Sequence, residues 1–229
     1  MKKETYFKPD TIQHKSQKML EALASFRSRH TDIVFQPECA ALLVLDMQEY
    51  FLQEKSHAFI PSAPAILPNI QTLIRIFCER NRPIVFTRHV NTDGDAGMMS
   101  SWWQETIRAE SPASTISASL DVSTGVVIPK TQYDAFYNTS LEDVLRGRGV
   151  EQVVVTGVMT HLCCETTARS AFVRGFAVFF CVDGTATYTE EAHQASLLNL
   201  AHGFAVPAIS HEIIKCFIRV ANNISQQKS

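Results

Sequence analysis

No apolar run in this sequence approaches the ~20 residues needed to cross a bilayer. The longest, such as the one from Phe176 to Val182, have the length of a strand, and no membrane partner is expected. An excess of charge of one sign is also missing. Lys and Arg number 21 against 23 Asp and Glu, a formal net charge of -2, so no basic field exists to hold a phosphate backbone and nucleic acid is not expected as a partner. Six cysteines, at 39, 78, 163, 164, 181 and 216, lack framework spacing. A chain of this size does not need disulfide staples, and they are read as reduced thiols. There is no Gly-x-Gly-x-x-Gly after a strand, no phosphate-binding loop and no Gly-x-Ser-x-Gly elbow. Nucleotide cofactors and a serine nucleophile are thereby disfavoured. The opening residues mix Lys2, Lys3, Glu4, Lys8 and Asp10 without an apolar h-region, so the expected location is cytoplasmic.

What is present is ordinary globular usage, 45% hydrophobic and 19% charged, in a length that suits a single core. Residues 1–35 are polar and uneven, with a weak helical pattern around Met19, Leu20, Leu23 and Phe26, and read as an N-terminal arm before a domain at 36–229. From there, short aliphatic runs alternate with helical patterns. Strands are expected at Ala40–Leu45, Pro83–Thr87, Gly125–Ile128, Gln152–Thr156, Ala177–Val182 and Ala205–Ile209, each a continuous apolar run as a sheet buried on both faces requires. Helices are expected near Pro64–Arg80, Ser140–Arg148, His161–Arg174, Glu190–His202 and His211–Asn222. The pattern predicts an α/β fold: a three-layer, doubly wound, Rossmann-like parallel sheet of six strands with helices on both faces. A Ser-, Gly- and Met-rich insert from Val90 to Ser123, carrying Trp102 and Trp103, interrupts it and reads as a substrate lid or binding loop.

In open parallel sheets, ligands bind at the carboxyl ends of the strands. Three chemically capable residues follow strands there: Asp46 after the first, Lys130 after the third and Cys163 shortly after the fourth. A thiol at the first turn of a helix opened by Thr160, with an ammonium nearby, is pushed toward thiolate, and a carboxylate beside it can take its proton. Singly, each has a plainer reading: a buried structural thiol, a turn cap, a surface lysine.

Their surroundings carry a resemblance. Leu-Asp-Met-Gln-x-Tyr-Phe at 45–51, Pro-Lys-x-x-Tyr-x-Ala-Phe at 129–136 and Thr-Gly-Val-Met-Thr-His-x-Cys at 156–163 occur in the order and spacing of isochorismatase-like hydrolases. Val182-Asp183-Gly184-Thr185-Ala186 looks like that family's Asp-Ala-x-Ala turn, with Gly184 in place of the first alanine. The resemblance spans about 36–210. It implies the isochorismatase-like hydrolase fold and a Cys-Asp-Lys centre, with Cys163 as nucleophile, Asp46 as proton acceptor and donor, and Lys130 as the charge that lowers the thiol pKa. It further implies a non-proline cis peptide between Val158 and Met159, and an oxyanion hole formed by the N–H groups of Met159 and Cys163. Gln48, Phe51, His89, Trp102, Trp103, Tyr133, Phe136, Thr160 and His161 are the residues expected to bind a small-molecule substrate. No cofactor is expected, nor a metal, because the Asp-x-His pair of the related nicotinamidases is missing near His89, Asp93 and Asp95. Assembly into a homo-oligomer, a dimer or larger, is expected.

Members that hydrolyse isochorismate, a vinyl ether, resemble this chain but carry glycine where Cys163 stands, and tend to have glutamine where His89 stands. The thiol therefore points to hydrolysis of a non-peptide C–N bond, as in an amide, carbamoyl or ureido group, through an acyl intermediate. Isochorismate hydrolysis, giving pyruvate and a dihydroxy-dihydrobenzoate, is the alternative. A non-catalytic small-molecule-binding module is the alternative from another class.

Overall fold

A computed structural model describes residues 2–103 and 105–226. Apolar, β-branched segments form one six-stranded parallel sheet in the order β3-β2-β1-β4-β5-β6. The strands are β1 (Ala40–Leu45), β2 (Ile84–His89), β3 (Val126–Lys130), β4 (Gln152–Val158), β5 (Ala177–Ala186) and β6 (Val206–Ala208). Every residue of β1 and β4 is buried, as central strands covered on both faces must be. The helices are α1 (Ile12–Ala22), α2 (Ala24–Arg27), α3 (Glu49–Leu52), α4 (Ala63–Glu79), α5 (Met99–Trp102), α6 (Leu141–Arg146), α7 (Glu165–Val173), α8 (Glu190–Gly203) and α9 (Ser210–Gln226). Right-handed crossovers put α4 on one face and α6, α7 and α8 on the other, because the chain reverses direction across the sheet after β3. This is the doubly wound α/β architecture expected from the sequence. None of the described helices is long and apolar enough to cross a membrane.

Three local departures shape the site. β2 and β3 run two residues beyond the sequence expectation, so His89 pairs with Lys130 in register and their side chains stand together. β5 continues to Ala186 through a bulge: Val155 pairs with Phe180 but Gly157 pairs with Thr185, so Cys181–Gly184 are skipped in the ladder to β4, while Cys181 pairs with Ala208 of β6. A Cβ on Gly184 would lie 2.7 Å from Cys181 Sγ, so glycine lets that thiol pack against the bulge. The expected helix at His161–Arg174 divides into a π turn, Thr160–Cys164, followed by α7.

The residues before the sheet join the same core. Tyr6 and Phe7 are buried in its hydrophobic cluster, their amides donate to Ser62 Oγ at 3.0 and 3.1 Å, and the Tyr6 hydroxyl accepts from the Thr187 N–H at 3.0 Å. The 90–123 insert lies over the strand ends. Arg88 Nε donates to Ser114 O at 2.9 Å, and the Ser117 N–H donates to Met47 O at 2.9 Å.

Candidate active site

β1 and β4 are neighbours whose following segments leave in opposite directions, and the crevice between them is where such a sheet offers a site. Asp46, next after β1, has a left-handed backbone with φ +52°, a conformation that costs a non-glycine residue ~1–3 kcal/mol and persists only where its surroundings impose it. Its N–H donates to Thr87 Oγ1 at 3.1 Å, and the Thr87 hydroxyl donates to Asp46 Oδ1 at 2.6 Å. Across the crevice, Gly157 has φ +109°, and a Cβ there would lie 2.0 Å from Leu45 O. Glycine alone allows the two strand ends to approach this closely. The Val158–Met159 peptide bond is cis, and the π turn that follows brings Cys163 to the crevice, 6% exposed.

Lys130 reaches the same point from the end of β3, its side chain wholly buried. Its Nζ lies 2.8 Å from Asp46 Oδ2, 2.8 Å from Gln132 O, 3.3 Å from His89 Nδ1 and 3.4 Å from Cys163 Sγ. The 2.8 Å contact joins Lys130 and Asp46 as a buried ion pair. Ligand-type atoms of Asp46, His89 and Cys163 fall within 4.8 Å of one another, a set with metal-binding chemistry, and the Lys130 ammonium stands in contact with all three.

These neighbours set the charges. Burial pushes the Asp46 carboxyl up, but the Lys130 charge and the hydrogen bonds around it outweigh burial and hold it below 3.8. Burial pulls Lys130 down, and the charge of Asp46, with the Cys163 sulfur beside it, more than restores it. The pair is ionised. His89 is pulled down to about 4 by burial and by Lys130, and is neutral at pH 7. Burial, then the charge of Asp46, pushes the Cys163 thiol up, and Lys130 only partly offsets them. Burial and the neighbouring carboxylate thus work against the resting thiolate expected from the sequence.

Cys163 opens onto a cavity of about 400 Å³. Of the residues expected to bind substrate, Phe51, His89, Trp103 and Tyr133 line it, together with Met159, and Trp103 Nε1 donates to Tyr133 Oη at 2.7 Å. The others do not. Gln48 is spent on backbone, accepting from the His89 N–H at 2.7 Å and donating to His89 O and Ser114 O at 3.0 and 2.8 Å. Trp102 is 72% exposed on the outer side of α5. Phe136 stacks on Phe176 and lies under the Arg174 guanidinium. The π turn carries Thr160 and His161 to the other side, where Thr160 Oγ1 meets His193 Nδ1 at 2.9 Å and His161 Nδ1 meets Thr187 Oγ1 at 2.7 Å.

Sequence reasoning missed Tyr50, Asn91, Met99, Ile107 and Tyr188 in the wall, and Lys3, His57 and Glu105 with them. Lys3 Nζ lies 4.6 Å from the centre of the Tyr188 ring and donates to His57 O, while His57 Nδ1 lies 3.3 Å from Glu105 Oε1. Asn91 had a usable signal, a polar residue two positions beyond a strand. Lys3 had none, since only tertiary packing brings it here.

The geometry agrees with what known proteins show. The isochorismatase domain model matches residues 40–212. Nicotinamidase 3 of Arabidopsis thaliana is 43% identical over 173 residues, 72% of this chain and 82% of that protein. Enterobactin synthase component B of Escherichia coli K12 is 30% identical over 174 residues, and there the match spans 74% of this chain but only 60% of that protein. The crystal structure of a cysteine hydrolase from Pseudomonas syringae pv. phaseolicola superposes with a TM-score of 0.77 at 25% identity, covering 81% of this chain and 95% of that one. With the domain model matched from β1 into α9 and the crevice built at the expected switch of strand order, this chain belongs to the isochorismatase family of hydrolases.

Proposed function

We propose that this protein hydrolyses the C–N bond of a small-molecule amide through a covalent intermediate on Cys163. The observation that carries the reading is the buried contact of Lys130 with both Asp46 and Cys163, the last of which lines a cavity that also holds Tyr50, Phe51, Trp103, Tyr133 and Tyr188. Asp46 takes the thiol proton as sulfur attacks the carbonyl carbon. Lys130 steadies both charges. The N–H groups of Met159 and Cys163 receive the developing oxyanion, an interaction typically worth ~3–4 kcal/mol per donor. When the C–N bond breaks, the proton on Asp46 goes to the leaving nitrogen and a thioester remains. Water then gives a proton to Asp46, its oxygen attacks the thioester, and the departing sulfur recovers that proton as the acid is released.

Tyr50, Phe51, Trp103, Tyr133 and Tyr188 favour a flat, unsaturated acyl group, and the similarity to a protein named as a nicotinamidase supports the same class. The test is ammonia release from nicotinamide, alongside carbamoyl and ureido compounds. Cys163→Ala is expected to lower it about ten-thousand-fold or more, as removal of a nucleophile does in other acyl-transfer enzymes. Undiminished release by that variant would sink the reading, and its turnover of isochorismate would put vinyl-ether hydrolysis in its place.

A further inference from the structure

Among the described residues in the wall of the Cys163 cavity, histidines aside, Lys3 and Glu105 carry a full charge at neutral pH. Burial keeps the tyrosines protonated, and Lys130 does not reach the wall. Glu105 is already engaged, with Oε1 at 3.3 Å from His57 Nδ1. Lys3 is not matched in this way. Burial pulls its ammonium down from 10.5, and no carboxylate acts to restore it, because Glu4 faces Lys2 and Glu190 faces Lys15. Its Nζ donates to His57 O and lies 4.6 Å from the centre of the Tyr188 ring, both neutral groups.

The backbone next to Lys3 is pinned. The Glu4 N–H donates to Tyr188 O at 2.7 Å, and Glu4 O accepts from the Ser62 hydroxyl at 3.2 Å. The same Ser62 oxygen accepts from the amides of Tyr6 and Phe7, whose rings are buried in the core. A side chain one residue from this anchor is held at the cavity wall before any ligand arrives, which lowers the ordering cost of using it. A partly desolvated ammonium without a counter-charge is satisfied best by a ligand that brings one. A single Lys is a compact point charge that balances one negative charge, which suits a carboxylate.

We propose that Lys3 is a specificity-determining residue that selects substrates carrying a carboxylate in addition to the amide that Cys163 attacks. The inference rests on the amide-hydrolysis reading and narrows it, from a flat unsaturated acyl group to one that is also negatively charged. The contact lies outside the reacting bond and is made equally in ground and transition states, so it acts on KM and not on kcat. Uncharged amides of the same shape enter the cavity without using it.

The probes are the meta and para isomers of carbamoylbenzoate, with benzamide as their uncharged analogue. Calorimetric binding to full-length Cys163→Ala reads recognition without turnover, and ammonia release by the chain with Cys163 intact gives kcat and KM. At least one carbamoylbenzoate is expected to bind about tenfold more tightly than benzamide, the scale of one charge-assisted hydrogen bond. Adding Lys3→Met, which keeps the carbon stem and removes the charge, should abolish that preference and leave benzamide within about twofold. Lys3→Arg should keep it within about threefold, since the charge remains. In turnover, Lys3→Met should raise KM for the carbamoylbenzoate about tenfold with kcat within about twofold. Carbamoylbenzoates bound no more tightly than benzamide would overturn the role, as would a Lys3→Met variant that weakens both alike. A charge preference in Cys163→Ala, with no ammonia released from any of these amides or from nicotinamide when Cys163 is intact, would leave the role of Lys3 standing and sink the amide reading instead.

Discussion

Two aspartates are buried near the carboxyl end of this sheet, and they are built for opposite purposes. Asp183, in the β5 bulge, accepts from the Ser210 N–H on Oδ1 and from the Ser210 hydroxyl on Oδ2, both at 2.7 Å, and so caps the start of α9. Burial pushes its carboxyl above 3.8, and no cation answers it among the described salt bridges. Asp46 gives one oxygen to Thr87 and sets the other against the Lys130 ammonium, which holds it below 3.8. A carboxylate with both oxygens engaged by neutral donors is a brace. One paired with an ammonium beside a thiol is the proposed reagent.

The comparison can be broken most severely at Asp46. Asp46→Ala should lower amide turnover about a thousandfold or more, the range of a lost general base. It should also destabilise the fold by ~3–5 kcal/mol, because Lys130 is left buried without its counter-charge. Adding Lys130→Met should recover much of that stability and none of the activity, which a denaturant titration and an ammonia assay on the double variant would check. Failure of the second change to restore stability would mean that the two groups are not paired. Asp183→Ala sharpens the contrast from the other side. It should cost ~1–3 kcal/mol of stability through the lost cap, yet leave kcat within about twofold.

Acid should act on the two carboxyls with opposite sign. Asp46 contributes stability that is present above 3.8 and lost as pH falls through its lower folded value, whereas the burial cost of Asp183 is absent below 3.8 and grows as pH rises through its raised one. Between them act the buried histidines. His89 is held at about 4 and His193 at about 3, so below 6.5 the unfolded chain binds protons that the folded chain refuses. Each should remove about 1.4 kcal/mol of stability per pH unit over that window. Denaturation midpoints that coincide at pH 7 and pH 5 would contradict this. The smallest effect belongs to Trp102→Ala, expected to change KM less than twofold because the ring faces solvent; Trp103→Ala, in the cavity wall, should change it more.

Much of this was legible in the sequence because alternation of apolar runs and helical patterns fixes a parallel sheet, and a parallel sheet fixes where polar residues must converge. Asp46, Lys130 and Cys163 are each found by looking just past a strand. Their neighbours in sequence were misjudged for a local reason. Gln48 sits two residues beyond Asp46, but a left-handed step turns the chain so that its amide serves backbone, and the π turn before Cys163 rotates Thr160 and His161 toward α8 and β5. The insert supplied Trp103 to the wall as expected, but Asn91, Met99 and Ile107 owe their positions to irregular backbone that no periodicity describes. Asp183 was visible only as a turn, since Asp-Gly at the end of an apolar run gives no hint that the strand resumes beyond it.

The cation at the heart of the crevice is anchored to the main chain by its own carbon stem, in contact with three side chains that could otherwise grip a diffusible ion. A tethered charge cannot be leached by chelators or exchanged for a different element, and its concentration is fixed at one per molecule. What such an arrangement gives up is adjustability: the medium can neither load this charge nor withdraw it.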